Sequence, residues 1–269
     1  MNFRDKLVVS PGKPARLADR DPDDTLGYQK DHKTKAALEK QLERLDALQY
    51  LLYAEKKHAL LVVLQSLDAG GKDGTIRHVM SGVNPQGCVV TPFKTPTAEE
   101  ASHDFLWRVH KAVPPRGDFG IFNRSHYEDV LVVRVHNLVP KAVWSKRYEQ
   151  INAFEKSLAE NGVQIVKFFL HISKQEQKKR FQERLDDPDK RWKISPADFA
   201  ERRFWSDYQA AYEDAITLCS TSWAPWYVVP SNKKWFRNLA VSRILVETLE
   251  GLRMKFPPPS FDVSHIKIK

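Results

Sequence analysis

Between Ser66 and Thr75 the chain reads SLDAGGKDGT, with two adjacent glycines ahead of a lysine. Glycines let a backbone come close to an anion, free N–H groups point at it, and a helix beginning there favours negative charge. Lys72 adds a point charge where terminal phosphates would lie. The spacing is close to G-x-x-x-x-G-K-[ST], with Ser66 in place of the first glycine and Asp73 in place of the hydroxyl. Asp68 sits inside the loop, where it would repel phosphate unless a cation lies between them. It therefore points to a Mg²⁺-bridged site. The phosphate-binding candidates are Ala69, Gly70, Gly71, Lys72, Asp73, Gly74 and Thr75, and Asp68 is the metal candidate.

Phosphoryl transfer needs a cradle for the donor, a metal, and cations on the moving group. Lys72 and Asp68 fill the first two roles, and Arg124 in the run Asn123–Asp129 is placed to face the loop as a third catalytic residue. Asn123 stands where an aspartate often helps hold the metal, so it would bind water or phosphate instead. Glu128 lies near the approach of an acceptor phosphate, either holding a second metal or pairing with a cation such as Arg184. From Lys174 to Arg203 the chain is rich in Lys and Arg, and i,i+4 pairing on a solvated face accounts for most of that charge. Arg184, Arg191 and Lys193 are the members assigned to the phosphate chain, and Trp192 either stacks on a base or anchors the segment. His126 is the one histidine with functional neighbours. No H-x-x-x-H, H-E-x-x-H or G-x-S-x-G spacing is present.

The elements that must carry these residues follow from periodicity. Leu60–Gln65 is a continuous apolar run, as expected of a strand covered on both faces, and a helix follows from Lys72 to Val83. Further strands are expected at 88–93, 120–122, 163–172 and 226–229. Helices are expected at 97–112 behind the Thr97/Glu100 capping box, at 140–161, 174–185, 197–218 and 235–254. Leu38, Leu42, Leu45, Leu48 and Leu52 make 33–57 an amphipathic helix whose stripe meets the core or a partner subunit. Strands alternating with helices give a five-stranded parallel sheet sandwiched by helices, an α/β fold in which ligands bind at the C-terminal strand edge. The expected organisation is an extended N-terminal arm at 1–32, a single domain at 33–256 with a helical lid at about 174–205, and a tail at 257–269.

A formal net charge of +9 with pI near 9.4 points to a polyanionic partner. No apolar run approaches a membrane span and no signal-peptide pattern opens the chain. Cys88 and Cys219 follow no metal spacing and read as reduced thiols of a cytoplasmic protein.

Together, Leu67–Thr75, Ile121–Glu128 and the Arg184–Trp192 segment resemble the polyphosphate kinase type-2 family, over residues of about 35–255. The resemblance implies a P-loop kinase fold and transfer of the terminal phosphate of inorganic polyphosphate to nucleotides, or the reverse, with Mg²⁺ or Mn²⁺. It implies metal binding by Asp68, catalysis by Lys72 and Arg124, and, through Asn123, membership of the subgroup accepting AMP as well as ADP. Adenine nucleotides are the expected partners, with guanine nucleotides second, in a homo-oligomer (dimer or tetramer) needing no membrane or nucleic acid. The rival readings are an ATP-dependent nucleoside monophosphate kinase, which leaves the charge unexplained, and a basic nucleic-acid-binding protein, which leaves the loop unexplained.

Overall fold

All seven residues of β1 (Ala59–Gln65) are buried, because this strand lies at the centre of the sheet. With β2 (Cys88–Pro92), β3 (Phe119–Asn123), β4 (Val163–His171) and β5 (Trp226–Pro230), it forms the order β2-β3-β1-β4-β5, every pair parallel. The computed structural model describes residues 2–264 and residue 266; the tail lysines Lys267 and Lys269 lie outside the described residues.

Twelve helices connect and cover the strands among the described residues. They are α1 (Phe3–Leu7), α2 (His32–Glu55), α3 (Lys72–Val79), α4 (Ala98–Ser102), α5 (Trp107–Lys111), α6 (Val132–Val135), α7 (Lys141–Trp144), α8 (Arg147–Glu160), α9 (Lys174–Asp186), α10 (Pro196–Glu201), α11 (Trp205–Cys219) and α12 (Lys234–Gly251). Side chains of a strand alternate between faces. Ala59, Leu61 and Val63 of β1 therefore enter one core with Ile151 of α8 and Ile216 of α11. Leu60, Val62 and Leu64 enter the other, with Leu45, Leu48 and Leu52 of α2 and Leu239 and Ile244 of α12. The leucine stripe of α2 thus packs on this chain's own core.

Three expected helices are interrupted. The 97–112 segment divides into α4 and α5 because the Asp104 carboxylate accepts the Leu106 N–H at 3.0 Å, a local turn that competes with the helix. The 140–161 segment is α7 and α8, joined through Ser145 and Lys146 in helical backbone. The 197–218 segment is α10 and α11, joined by a tightened turn at Arg202–Phe204.

The N-terminal arm differs most from expectation. It is not a free extension: Phe3, Leu7, Val9, Ala15 and Leu17 are buried. Phe3 stacks 6.1 Å from Phe236 of α12 and 5.5 Å from Tyr28, and Val8 bridges antiparallel to Tyr227 of β5. Asn2 caps α1 by accepting the Arg4 and Asp5 N–H groups. Replacing Phe3 by alanine should lower the unfolding free energy by roughly 3–5 kcal/mol, read as a shift in the denaturant midpoint. An unchanged midpoint would show that α1 is not part of the core.

Candidate active site

In the parallel register Leu64 of β1 lies opposite Asn123 of β3, so the two strands end side by side. The Arg124 N–H extends the pairing by one residue to the Leu64 carbonyl, at 3.1 Å. Topology alone thus delivers the loop after β1 and the turn after β3 to one edge. Arg124 takes a left-handed conformation there, φ 63°, and across the edge Ala69 does the same at φ 58°.

The loop's shape follows from close contacts. A Cβ on Gly70 would lie 2.4 Å from the Ser66 Cβ, and Gly71 has φ 107°, a conformation that favours glycine. On the other side α9 takes hold of the loop carbonyls. Gln177 donates to the Asp68 oxygen at 2.9 Å, and Arg180 Nη1 donates to those of Ala69 and Gly70 at 2.9 and 3.0 Å. Arg180 Nη2 donates to Ser231 and Asn232 beyond β5, and its Nε pairs with Glu176 at 2.8 Å. With those carbonyls drawn back, the N–H groups of Gly71, Lys72, Asp73 and Gly74 have no acceptor among the described residues. They form an anion cradle at the start of α3.

Ser66, standing where a glycine was expected, holds Lys72. The ammonium donates to the Ser66 hydroxyl and carbonyl at 3.0 and 3.1 Å. Burial and the neighbouring Arg124 charge press the Lys72 pKa down to about 8, against the opposite pull of Asp68, Glu128 and Asp73. Arg124 Nη2 meets the Asp68 carboxylate at 3.0 Å and its Nη1 meets Glu128 at 3.5 Å. Burial works against the Arg124 charge, but Glu128 and Asp68 more than offset it and raise its pKa.

Two cavities meet at this guanidinium. One is small and lies under Arg202, Trp205, Tyr208 and Tyr212, facing Ser66, Asp68, Arg124 and Glu128. The other, of about 580 Å³, is lined by Phe93, Lys94, Pro96, Arg108, Arg124, Glu128, Val132, Val133 and Leu138.

The candidates of the loop, Asp68 to Gly74, and the pair Arg124 and Glu128 are brought together, but several roles change. Thr75 is not available to phosphate, since both its N–H and its hydroxyl bond to the Gly71 carbonyl, at 2.9 and 3.0 Å. Asn123 donates to Asp73 at 2.8 Å. Glu128 pairs with Arg124 rather than with Arg184. The three lysines and arginines assigned to the phosphate chain bond within their own segment: Arg184 to the Lys193 carbonyl, Arg191 to that of Leu185, with Lys193 over the Trp192 ring. The residues of this segment that reach the loop or line the cavity beside it are Gln177, Arg180, Glu201 and Arg202. Arg180 falls among the charges that the sequence assigns to a solvated helix face, and nothing in its neighbours signals that it is buried.

His126 belongs to a buried network. Its Nε2 lies 3.1 Å from Glu155, which also accepts from the Tyr127 hydroxyl at 2.9 Å and from Lys167 of β4 at 2.5 Å. Burial would raise the Glu155 pKa, but Lys167 and His126 bring it below the usual carboxylate value. This network anchors the turn that follows Arg124.

A divalent cation is compatible with these residues. Among the described residues no group of three or more His, Cys, Asp or Glu could hold a metal, and the Asp68 carboxylate is partly open. A hard cation held by one carboxylate, with phosphate and water completing its shell, is a usual form for Mg²⁺.

The family model described as Polyphosphate kinase 2 matches residues 28–257. An AMP/ADP-polyphosphate phosphotransferase of Meiothermus ruber is 58% identical over 257 residues, covering 94% of this chain and 96% of its own. An ADP-polyphosphate phosphotransferase of Rhodopseudomonas palustris is 51% identical, with coverage of 82% and 80%. The crystal structure of Polyphosphate Kinase 2 from Arthrobacter aurescens TC1 superposes with a TM-score of 0.94 at 47% identity, covering 98% of this chain and 94% of that one.

The depressed Lys72 pKa carries a pH prediction. A bound anion favours the protonated amine, so affinity for long-chain polyphosphate, measured with chelator present, should fall as pH rises through about 8. Binding at pH 9 should take up a proton in calorimetry. Lys72→Arg, whose guanidinium stays charged, should be flat across the same window. A wild-type profile as flat as the variant's would refute the shift.

Proposed function

The chain belongs to the polyphosphate kinase 2 family, and from that premise we propose that it moves the terminal phosphoryl group of inorganic polyphosphate onto AMP and ADP, and back. The observation that carries the reading is Arg124, one guanidinium in contact with the loop carboxylate Asp68 and with Glu128 at the mouth of the 580 Å³ cavity. A cation so placed touches both halves of a transfer reaction.

The donor chain lies on the amides of Gly71–Gly74, with Lys72 at its reacting end. The acceptor occupies the larger cavity, its base against Phe93, Val132, Val133 and Leu138 and its phosphate toward Arg124. Lys94 and Arg108 supply further positive charge beside it. Mg²⁺ or Mn²⁺ at Asp68 would neutralise phosphate oxygens when bound. Asp68 would hold that cation, and Arg124, whose guanidinium meets Asp68 and Glu128, is the residue that steadies the charge of the phosphoryl group in flight. An AMP or ADP phosphate oxygen is largely deprotonated at neutral pH, so positioning and charge do the work and no general base is required. The segment of about 174–205 acts as a lid over the smaller cavity through Arg202 and Trp205, and the free cysteines Cys88 and Cys219 agree with a cytoplasmic setting. AMP and ADP are the acceptors in the name of the Meiothermus ruber relative, which supports both here.

The direct test mixes the pure protein with AMP, Mg²⁺ and polyphosphate, without ATP. ADP and then ATP should appear; if neither forms, the reading is wrong. Lys72→Ala and Arg124→Ala should each cost ~10²–10³ in rate, the scale of losing one charge-stabilising contact, with unchanged circular dichroism. A variant keeping a rate near wild type would remove that residue from the mechanism.

A further inference from the structure

Arg237, on the first turn of α12, is 2% exposed and runs beneath the phosphate loop. A Cβ at Gly71 would lie 2.0 Å from its Nη1, and one at Gly74 3.3 Å from its Nη2. The absence of side chains at these two glycines lets the guanidinium come against the backbone of the cradle itself. Its hydrogen bonds go to a neutral acceptor: Nε and Nη2 donate to the Asn238 side-chain oxygen at 3.2 and 2.8 Å. Among the described residues no carboxylate pairs with it. The charge beside it is that of Arg180, and burial together with Arg180 presses the Arg237 pKa down to about 10. The positive end of α3 adds to the same potential.

Arg180 is compensated by Glu176 and by four carbonyls; Arg237 is not. A buried charge without a counter-ion is costly to a fold, and nothing within the described chain offsets it. On the reading of this loop as the donor site, a polyphosphate chain with a negative charge on every phosphate lies across it.

We propose that Arg237 is a positioning residue for polyphosphate, its uncompensated buried charge being neutralised by the anionic chain on the opposite side of the Gly71–Gly74 backbone. This rests on the reading of that loop as the donor site. The charge acts through the peptide layer rather than by touching the reacting atoms, and it serves the donor more than the acceptor. Arg237 destabilises the ligand-free protein and strengthens its hold on the donor, so the two effects must be removed together.

Arg237→Met keeps length and removes charge; Arg237→Lys keeps charge. In thermal unfolding without ligand, Arg237→Met should be at least as stable as wild type. Its affinity for long-chain polyphosphate should fall roughly tenfold, the order of one lost charge interaction, while the KM for ADP stays within about a factor of two on the same scale. Arg237→Lys should recover most of the polyphosphate affinity. Unchanged polyphosphate affinity in Arg237→Met would overturn the inference. So would equal losses in both charged and neutral variants, or a lowered melting temperature with both substrates affected alike, which would make Arg237 a packing support. Wild-type protein is titrated in parallel: if it does not bind polyphosphate, the donor-site reading itself fails, whatever the variants do.

Discussion

Arg180 ties the site together. One buried guanidinium accepts the geometry of two chain crossings at once, holding carbonyls of the loop after β1 with one nitrogen and carbonyls beyond β5 with another. A planar fork with several donors can do this where an ammonium could not. The consequence is electrical as much as mechanical. Carbonyl dipoles drawn toward Arg180 leave the amide dipoles of the loop aligned the other way, an arrangement suited to an anion. The helix that carries Arg180 leads into the segment covering the smaller cavity, so loop shape and cover share a single anchor.

Parallel strand order supplies the second constraint. Because β3 lies next to β1, the residue after β3 is fixed beside the loop by a backbone hydrogen bond, whatever its side chain does. Beneath that turn the Lys167, Glu155, His126 and Tyr127 network replaces water with directed hydrogen bonds, all inside the core. Such a group of charges is tolerable only when each finds partners. It leaves the His126 Nδ1 without one among the described residues.

Much of this was legible in the sequence because it is local. β1 shows as an apolar run, and the glycines, Asp68 and Lys72 mark by type and spacing the turn that joins it to α3. Arg124 follows from standing at a strand end. What could not be read depends on burial and on contacts distant in sequence. Arg184, Arg191 and Lys193 look as functional as Arg180 when only charge is counted, yet they bond within their own segment. Thr75 has the right chemistry, but its hydroxyl is consumed by the Gly71 carbonyl. Phe3 and Leu7 sit in a stretch too polar and too broken by Pro and Gly to suggest a core contact, and only the groove beside α12 gives them one. Arg237 lies in an ordinary helical first turn, and nothing in its neighbours announces that two glycines far upstream have made room for it.

Ala69 and Arg124, both in left-handed backbone without being glycine, have a consequence for anyone reshaping this protein. Each conformation costs on the order of 1–2 kcal/mol, and glycine at either position would relax it. A library screened for heat resistance alone would therefore drift toward glycine at two points of the same strand edge. At position 124 the same relief would delete the guanidinium together with its ion pairs to Asp68 and Glu128. Screens on this scaffold have to score turnover alongside survival, since two of its left-handed non-glycine residues lie at the candidate site.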